Sequence, residues 1–230
     1  DCSLTLADFN YNRTLSEYFS DSDLSNIKII KDDFTSPEAF KSLDKDYDHV
    51  YMLASVVGVN NTIENPELVL SVNTSLIFNC LDWLKTSLVK RVLFASTSET
   101  YSGTTETIDH PIPTNESVPL CIKDVSDPRF TYAITKILGE SAFFHYANKY
   151  NFEATIVRYH NVFGPDMGFK HVIPHLVQRF IDNENPFRLY GYDQTRAFSY
   201  VDDAVEGSVL MMESENASGQ TFHIGSSDEI

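Results

Sequence analysis

Short apolar runs alternate along this chain with longer segments in which apolar residues recur every three or four positions. The short runs predict β-strands, and they cover residues 4–8, 27–30, 49–54, 91–96 and 154–159. The longer segments predict helices, and two of these are long: one is capped by Asn65-Pro66-Glu67, and the other runs from Arg129 to Tyr150. Alternating strands and helices predict an α/β fold, a doubly wound parallel sheet with helices on both faces.

Two further segments fit this arrangement less regularly. Ser36 and Pro37 predict the start of a shorter helix, with Ser36 as its N-cap. Residues 102–128 are rich in Thr, Pro and Glu and predict a polar loop. The strand over residues 49–54 is almost continuously apolar, which predicts burial on both faces.

From Gly164 onward the pattern loosens, although a helix is predicted over residues 171–182 and a short strand over residues 197–200. We therefore expect two units. Residues 1–163 form the main sheet domain, and residues 164–230 form a smaller substrate-binding lobe, with some elements that return to the sheet.

The sequence lacks the Gly-rich turn that begins a dinucleotide-binding fold. Its nine glycines include no G-x-G-x-x-G. Either the N-terminal strand and its Gly-rich loop are missing, roughly the first 30 residues of a βαβ unit, or the chain is not a dinucleotide binder. In the first case we expect the stretch as written to bind a dinucleotide poorly. The C-terminus also stops where a new helix is predicted to start.

Charge and composition exclude several classes of protein. The formal net charge of −16 is the opposite of the basic face expected of a nucleic-acid-binding protein. Three scattered cysteines predict neither a disulfide framework nor a zinc site, so we expect no metal. No run approaches the roughly 18 apolar residues of a membrane span, and no signal peptide opens the chain. We expect a cytoplasmic protein that binds neither nucleic acid nor membrane.

Tyr132 and Lys136 lie four residues apart on the second long predicted helix. Residues at this spacing share a helix face, and a neighbouring cation lowers the pKa of a tyrosine from about 10. The pair therefore predicts a general base that works near neutral pH. The alternative is coincidence, because Tyr-x-x-x-Lys arises in many helices that have no catalytic role.

A run of hydroxyl side chains with one carboxylate follows the strand over residues 91–96. Thr97, Ser98 and Glu99 lie just past the carboxyl end of this strand, where a parallel sheet presents reactive groups. Thr97 and Glu99 are two residues apart, so in extended backbone they point the same way. We expect Thr97 to bind a substrate hydroxyl and Glu99 to move a second proton. The alternative is an ordinary turn rich in Ser and Thr.

Two acidic residues and an arginine are candidates for ligand binding. Asp8 ends the first strand, where a carboxylate can accept both ribose hydroxyls of an adenosine and disfavours a 2′-phosphate. Asp33 follows the second strand and is a candidate contact for the adenine amino group. The alternative for both is a turn or capping residue. Arg196 suits a diphosphate, unless it forms an ordinary surface ion pair.

Together these residues resemble the extended short-chain dehydrogenase/reductases, in particular the NAD-dependent epimerase/dehydratase group that acts on sugar nucleotides. The resemblance spans residues 4–225 and rests on five motifs: VYMLASVVGV (50–59), VKRVLFASTSETYSG (89–103), YAITKILGE (132–140), VRYHNVFGPDMG (157–168) and QTRAFSYVDDAVEG (194–207). It implies a Rossmann-type sheet, NAD as the cofactor, a nucleotide-diphosphate sugar as the substrate, and a homodimer.

The resemblance also implies a role for each matching residue. Tyr132 matches the catalytic base, and Lys136 matches its partner, which also holds the nicotinamide ribose. Thr97 matches the residue that hydrogen-bonds the reacting hydroxyl. Met52 stands where the family often has His, a change that we expect to be tolerated. The other matches are cofactor contacts at Asp8, Asp33, Leu53, Ala54 and Ser55, and substrate contacts at Ser98, Asn161 and Arg196.

The resemblance leaves the exact reaction open. The shared chemistry oxidises a sugar carbon with NAD and leaves a 4-keto sugar. Glu99 stands where simple 4-epimerases usually carry a small or apolar residue, and its motif resembles those of GDP-mannose 4,6-dehydratases and UDP-glucuronate decarboxylases. We therefore expect a 4,6-dehydratase or a UDP-glucuronate decarboxylase. The alternatives are a UDP-sugar 4-epimerase and a cofactor-binding pseudoenzyme, although a pseudoenzyme typically loses Tyr132 or Lys136.

Overall fold

The computed structural model of the chain describes residues 2–11, 14–189, 191–192 and 194–230. Within these residues every strand-to-strand pairing is parallel. The strands are β1 (Leu4–Asp8), β2 (Ile27–Lys31), β3 (His49–Met52), β4 (Arg91–Thr97), β5 (Glu153–Tyr159), β6 (Asn161–Phe163), β7 (Phe198–Tyr200) and β8 (Thr221–Ile224).

Helices separate most of these strands along the chain. The α-helices are α1 (Asp21–Leu24), α2 (Val59–Glu64), α3 (Pro66–Leu84), α4 (Ser102–Thr107), α5 (Thr131–Tyr150), α6 (Val172–Ile181) and α7 (Val201–Glu213). Short 3₁₀ helices cover Leu15–Glu17, Pro37–Ser42, Ser98–Tyr101, Pro128–Phe130 and Glu215–Ala217. Across the described part of the chain, no helix combines the length and the apolar character that crossing a membrane requires.

The central sheet has the strand order β3-β4-β5-β8. The long strands β4 and β5 pair over their full lengths, from Arg91 opposite Glu153 to Thr97 opposite Tyr159. The pairs β1-β2 and β6-β7 form two smaller sheets. Because all of these strands are parallel, their carboxyl ends lie on one edge within each sheet, where such folds place ligands.

Helices cover both faces of the central sheet, as the strand and helix pattern predicts. Val92 and Phe94 belong to a core shared with α3 and α5, whereas Leu93, the residue between them, packs with Ala204 and Met212 of α7. Alternate residues of a strand point to opposite faces, so α3 and α5 lie on one side and α7 on the other. The prediction of an α/β doubly wound parallel sheet is confirmed.

The second half of the chain contributes to the central sheet as well as to a peripheral region. The strand β8 pairs with β5, so α7 and β8 complete the sheet. The helix α6 has no buried residue, and one side of it borders an apolar groove of about 510 Å³. Residues 164–230 therefore include both returning sheet elements and a more exposed part.

Three local predictions differ from the structure. The strand β3 ends at Met52, and Tyr51 is 38% exposed, because β3 is the edge strand of its sheet. Residues 37–42 form a 3₁₀ helix, and Ser36 makes no capping hydrogen bond with its side chain. The predicted loop over residues 102–128 includes the short helix α4.

Candidate functional site

The end of β4 and the following turn form one side of the candidate site. Thr97 keeps the extended backbone of the strand, and its Oγ1 accepts the backbone N–H of Glu99 at 3.2 Å. This contact starts the 3₁₀ turn over Ser98–Tyr101, in which Ser98 is half-buried. A hydroxyl that caps a turn at a strand end remains able to accept or donate further hydrogen bonds.

The helix α5 brings Tyr132 and Lys136 against this strand end. It approaches β4 closely because Gly139 has no side chain: a Cβ there would lie 2.2 Å from the Phe94 ring. Lys136 is only 3% exposed, and its Nζ donates to Ala95 O of β4 at 2.7 Å. The ammonium lies 5.5 Å from the centre of the Tyr132 ring, so the predicted pair does share one helix face.

Burial dominates the electrostatics of this pair. Burial and the negative charge of Glu99 together raise the pKa of Tyr132 to about 12, whereas the Ser55 side chain acts to lower it. Burial also lowers the pKa of Lys136 to about 8, against the opposing effect of Glu140. The prediction that the pKa of Tyr132 lies below its usual value is therefore wrong, because desolvation disfavours the charged forms of both side chains.

Glu99 lies in the 3₁₀ turn that follows β4. Its carboxylate is exposed, and its negative charge raises the pKa of Tyr132. The expectation that Thr97 and Glu99 point the same way from one extended strand is wrong. Thr97 and Glu99 are not two positions of one extended strand, because a 3₁₀ turn begins between them.

The loop after β3 borders the same site. Leu53 is 58% exposed, Ala54 is exposed, and Ser55 is half-buried. The Ser55 side chain lowers the pKa of Tyr132, so this loop influences the protonation of the Tyr132 hydroxyl. Leu53 and Ala54 are left as accessible apolar surface at the end of β3, of the kind that a flat ring system can cover.

Asn73 of α3 fixes this loop to α5 and was missed by the sequence analysis. Its Oδ1 accepts the Val56 N–H at 2.7 Å, and its Nδ2 donates to Val56 O and to Thr135 Oγ1, both at 3.2 Å. Thr135 Oγ1 in turn donates to Tyr132 O at 2.8 Å. A polar residue on the apolar face of α3, between Val69 and Leu76, is the signal that could have identified it.

The two predicted adenosine contacts lie apart from this cluster, at the carboxyl ends of β1 and β2. Asp8 is exposed and its Oδ1 accepts the Asn10 N–H at 2.7 Å. Asp33 is also exposed and accepts both the N–H and the hydroxyl of Thr35, which lowers its pKa. Both carboxylates thus make the contacts expected of turn or capping residues, which was the alternative to binding adenosine. Both also remain accessible to a ligand.

Two of the three predicted substrate contacts, Asn161 and Arg196, lie on the exposed side of the β6-β7 region. Asn161 Nδ2 donates to Ala197 O at 3.0 Å. The Arg196 guanidinium donates to Thr195 O at 2.7 Å and to Gln194 Oε1 at 3.1 Å. Both side chains are exposed, and their hydrogen bonds hold them beside each other at the start of β7.

A buried ion pair lies beneath the site and was not expected. Arg158 of β5 donates to Glu140 of α5, from Nε to Oε1 at 2.9 Å and from Nη2 to Oε2 at 2.6 Å. Both side chains are less than a tenth exposed. Ser96 of β4 also donates to Glu140, so this carboxylate ties β4, β5 and α5 together. Arg158 is therefore a structural residue, not a surface ion pair.

Comparisons with known proteins agree with this arrangement. A model of the NAD-dependent epimerase/dehydratase family matches residues 8–225. A UDP-N-acetyl-α-D-glucosaminuronate decarboxylase from Bacillus cytotoxicus is 33% identical over 98% of this chain and 68% of its own. A UDP-glucuronate 4-epimerase from Thermodesulfobacterium geofontis is 30% identical over 81% of this chain and 55% of its own.

A solved structure gives the same result. An epimerase from the methanogen Methanothermobacter thermautotrophicus superposes with a TM-score of 0.82 at 27% identity, over 98% of this chain and 65% of that one. The chain thus spans between 55% and 68% of the length of these three relatives. The resemblance inferred from the motifs is confirmed, and the chain belongs to the NAD-dependent epimerase/dehydratase family.

Proposed function

We propose that the protein oxidises a UDP-linked uronic acid at C4 with NAD and then decarboxylates the resulting 4-keto acid. The carrying observation is an exposed carboxylate, Glu99, in the turn where β4 ends, whose charge raises the pKa of the buried Tyr132. Two relatives support the substrate class, because the names of both state a UDP-linked uronic acid. The relative that matches almost the whole chain is the decarboxylase.

The first step needs a group that removes the proton of the C4 hydroxyl. Tyr132 is the candidate, with Thr97 Oγ1 as a second hydrogen-bonding partner for that hydroxyl. Lys136 supports the exchange, because a pKa of about 8 lets its amine bind or release a proton near neutral pH. Tyr132 itself is in its acid form near neutral pH, since its pKa is about 12.

The residues present fit NAD. Asp8 offers an exposed carboxylate at a strand end, which suits ribose hydroxyls, and Leu53 with Ala54 offers exposed apolar surface next to Ser55. Lys136 and Tyr132 are candidates to hold the nicotinamide ribose, and Asp33 the adenine. When bound, NAD supplies the acceptor for the hydride of the sugar carbon and a positive charge on its nicotinamide ring.

The second step follows from the chemistry of a 4-keto uronic acid, which is a β-keto acid. The bond between C5 and the carboxyl carbon breaks, CO₂ leaves, and the electron pair moves to the C4 oxygen as an enolate. Tyr132 in its acid form is suited to donate a hydrogen bond to that oxygen. C5 then needs a proton, and Glu99, whose side chain is exposed, is the candidate to deliver it. Return of the hydride to C4, with a proton from Tyr132 to the C4 oxygen, would restore NAD and leave a UDP-pentose.

A 4-epimerase is the second candidate, because the relative from Thermodesulfobacterium geofontis has that name. It would share the first step and return the hydride to the other face of the ketone, with no loss of CO₂. Arg196 is the candidate contact for the UDP diphosphate in either case, with Asn161 and Ser98 as further substrate contacts.

The test is to incubate the full-length protein with NAD and a panel of UDP-, GDP- and dTDP-sugars that includes UDP-uronic acids. We expect loss of CO₂ from a UDP-uronic acid, detected as a change in product mass. An isomer of unchanged mass would establish the epimerase instead, and loss of water would establish a 4,6-dehydratase. Binding of NAD and sugar nucleotide without any product would establish a pseudoenzyme.

A further inference from the structure

A buried polar network connects the turn beside the candidate site to β8, on the far side of the sheet. Tyr101, at the end of the turn Ser98–Tyr101, is 4% exposed. Arg158 Nη1 donates to its hydroxyl, and the ring of His223 of β8 lies on its other side, with Nε2 at 3.0 Å from Tyr101 Oη. Arg158 of β5 and His223 of β8 thus both hydrogen-bond to the tyrosine that ends the turn.

The hydrogen bonds of this network fix the protonation state of His223. Arg158 is a donor only, so the Tyr101 oxygen accepts from it and the Tyr101 hydroxyl must donate elsewhere. His223 Nε2 lies at 3.0 Å, whereas the alternative acceptor, Glu116 O, lies at 3.5 Å and already accepts from Arg158 at 3.1 Å. Tyr101 therefore donates to Nε2, which must be unprotonated. The ring proton then sits on Nδ1, 3.7 Å from the Glu116 carboxylate.

The charged groups around His223 come from four elements. Burial lowers the pKa of His223, and His160 and Arg158 lower it further, whereas Glu116 and Glu140 raise it. The His160 ring, whose centre lies 5.1 Å from that of His223, is the nearest second imidazole. The net effect keeps His223 neutral at neutral pH, as the hydrogen bond from Tyr101 requires.

We propose that neutral His223, acting through Tyr101, is a positioning residue for the turn that follows Thr97 and carries Glu99, and that its protonation switches the reaction off in acid. When His223 Nε2 carries a proton, it becomes a second hydrogen-bond donor, besides Arg158, to the Tyr101 oxygen. Tyr101 must then accept from both Arg158 and His223 and turn its own proton to the poorer acceptor, Glu116 O. Displacement of the turn moves Thr97 and Glu99 relative to Tyr132, and small displacements of reacting groups are costly.

The inference about turnover rests on the proposed function, so one part of the test measures activity. In the full-length protein, kcat is measured against pH for the wild type, His223→Gln and His223→Phe, with His145→Gln on the exposed side of α5 as the matched control. The amide of Gln can still accept from Tyr101 but does not titrate. We expect His223→Gln to stay near wild type above about pH 7 and to lose the His223-dependent acid limb.

His223→Phe removes the acceptor at every pH. We expect it to reduce kcat by about ten- to 100-fold with a smaller change in KM, since a displaced turn affects geometry more than binding. His145→Gln should follow the wild-type profile. An unchanged acid limb in His223→Gln, or wild-type kcat in a folded His223→Phe, would overturn the inference. If His223→Phe does not fold, the pH profile of kcat for His223→Gln alone tests the inference.

The other part of the test needs no activity. Long-range ¹H–¹⁵N NMR of the histidine rings should find the Nδ1–H tautomer of His223 near neutral pH. Hydrogen exchange of the amides of residues 98–101, corrected for the intrinsic effect of pH, should rise in acid in the wild type but not in His223→Gln. An Nε2–H tautomer, or exchange that does not depend on His223, would refute the inference. Absence of turnover with the expected tautomer would instead count against the proposed function.

Discussion

The two halves of the candidate site are built differently. At the end of β4, the side chains contact residues far away in the sequence: Lys136 donates to Ala95, and Arg158 pairs with Glu140. At the ends of β1 and β2, and around Arg196, the side chains contact neighbours one or two residues away. The first half is buried and fixed by several elements, whereas the second is exposed and held by local turns.

This difference separates the part that we propose performs chemistry from the part that we propose holds ligands. Burial raises the pKa of Tyr132 to about 12 and lowers that of Lys136 to about 8, because desolvation disfavours both charged forms. The carboxylates of Asp8 and Asp33 are exposed and accessible to ligand hydroxyls. Substitutions in the buried half should therefore change turnover or stability, and those in the exposed half should change ligand binding alone.

Tyr132→Phe should have the largest effect, because it removes the oxygen that exchanges the proton of the sugar hydroxyl. We expect kcat to fall by about 10²–10⁴-fold, the usual contribution of a positioned acid or base. The matched control is Tyr150→Phe, the same change at the far end of α5, which should keep wild-type activity. A loss of less than about tenfold in a folded Tyr132→Phe protein would contradict the role of Tyr132.

Glu99→Gln should stop the second step while sparing the first, with an overall loss of about 10²-fold. Reduced NAD and the keto sugar should accumulate, which absorbance and product mass would detect. The pKa of Tyr132 should also fall, because the negative charge that disfavours its phenolate is removed. The matched control is Glu206→Gln on the surface of α7. Full activity of Glu99→Gln would show that the carboxylate only supports the loop.

Lys136→Met should stabilise the fold while it impairs the reaction. Keeping Lys136 charged costs about 3 kcal/mol at neutral pH, from the shift of its pKa to about 8. The lost hydrogen bond to Ala95 offsets about 1 kcal/mol of this. We expect urea unfolding near pH 7 to show a gain of about 2 kcal/mol in the free energy of unfolding.

The stability gained by Lys136→Met depends on pH, and the pKa of Lys136 fixes the direction of that dependence. Between a pKa of about 8 in the folded protein and 10.5 in the unfolded chain, only the unfolded chain keeps the proton on Lys136. Raising the pH through this window therefore increases the free energy of unfolding of the wild type. The stability advantage of Lys136→Met over the wild type becomes smaller as a result. Lys149→Met, in the last turn of the same helix and exposed, should show neither effect. A destabilised Lys136→Met would mean that the hydrogen bond to Ala95 outweighs desolvation.

Asp8→Asn should have the smallest effect and should leave stability unchanged, because the Asp8 side chain is exposed and accepts the backbone N–H of Asn10, two residues on. We expect the KM for NAD to rise about tenfold, the loss of a hydrogen bond to a charged group. Discrimination against NADP should also weaken, since the charge that repels a 2′-phosphate is gone. Asp21→Asn in α1 is the control. A wild-type preference for NADP would refute this role of Asp8.

The sequence by itself determined most of the strands and helices and the family of the protein. Strand and helix periodicity are local properties, so they place Thr97 at a strand end and Tyr132 with Lys136 on one helix face. The order of these motifs along the chain is specific enough to identify the family, and the family match over residues 8–225 confirms it. The roles of the individual residues remain predictions.

Only the tertiary structure decided the pKa values of the site residues and the long-range contacts that hold these residues in place. The pKa of Tyr132 depends on desolvation by residues from other elements, and the sequence analysis, which considered Lys136 alone, gave the wrong direction. The Arg158–Glu140 pair joins residues 18 positions apart, and the contact of Tyr101 with His223 spans 122. Such contacts form when the sheet and helices pack, so no local pattern contains them.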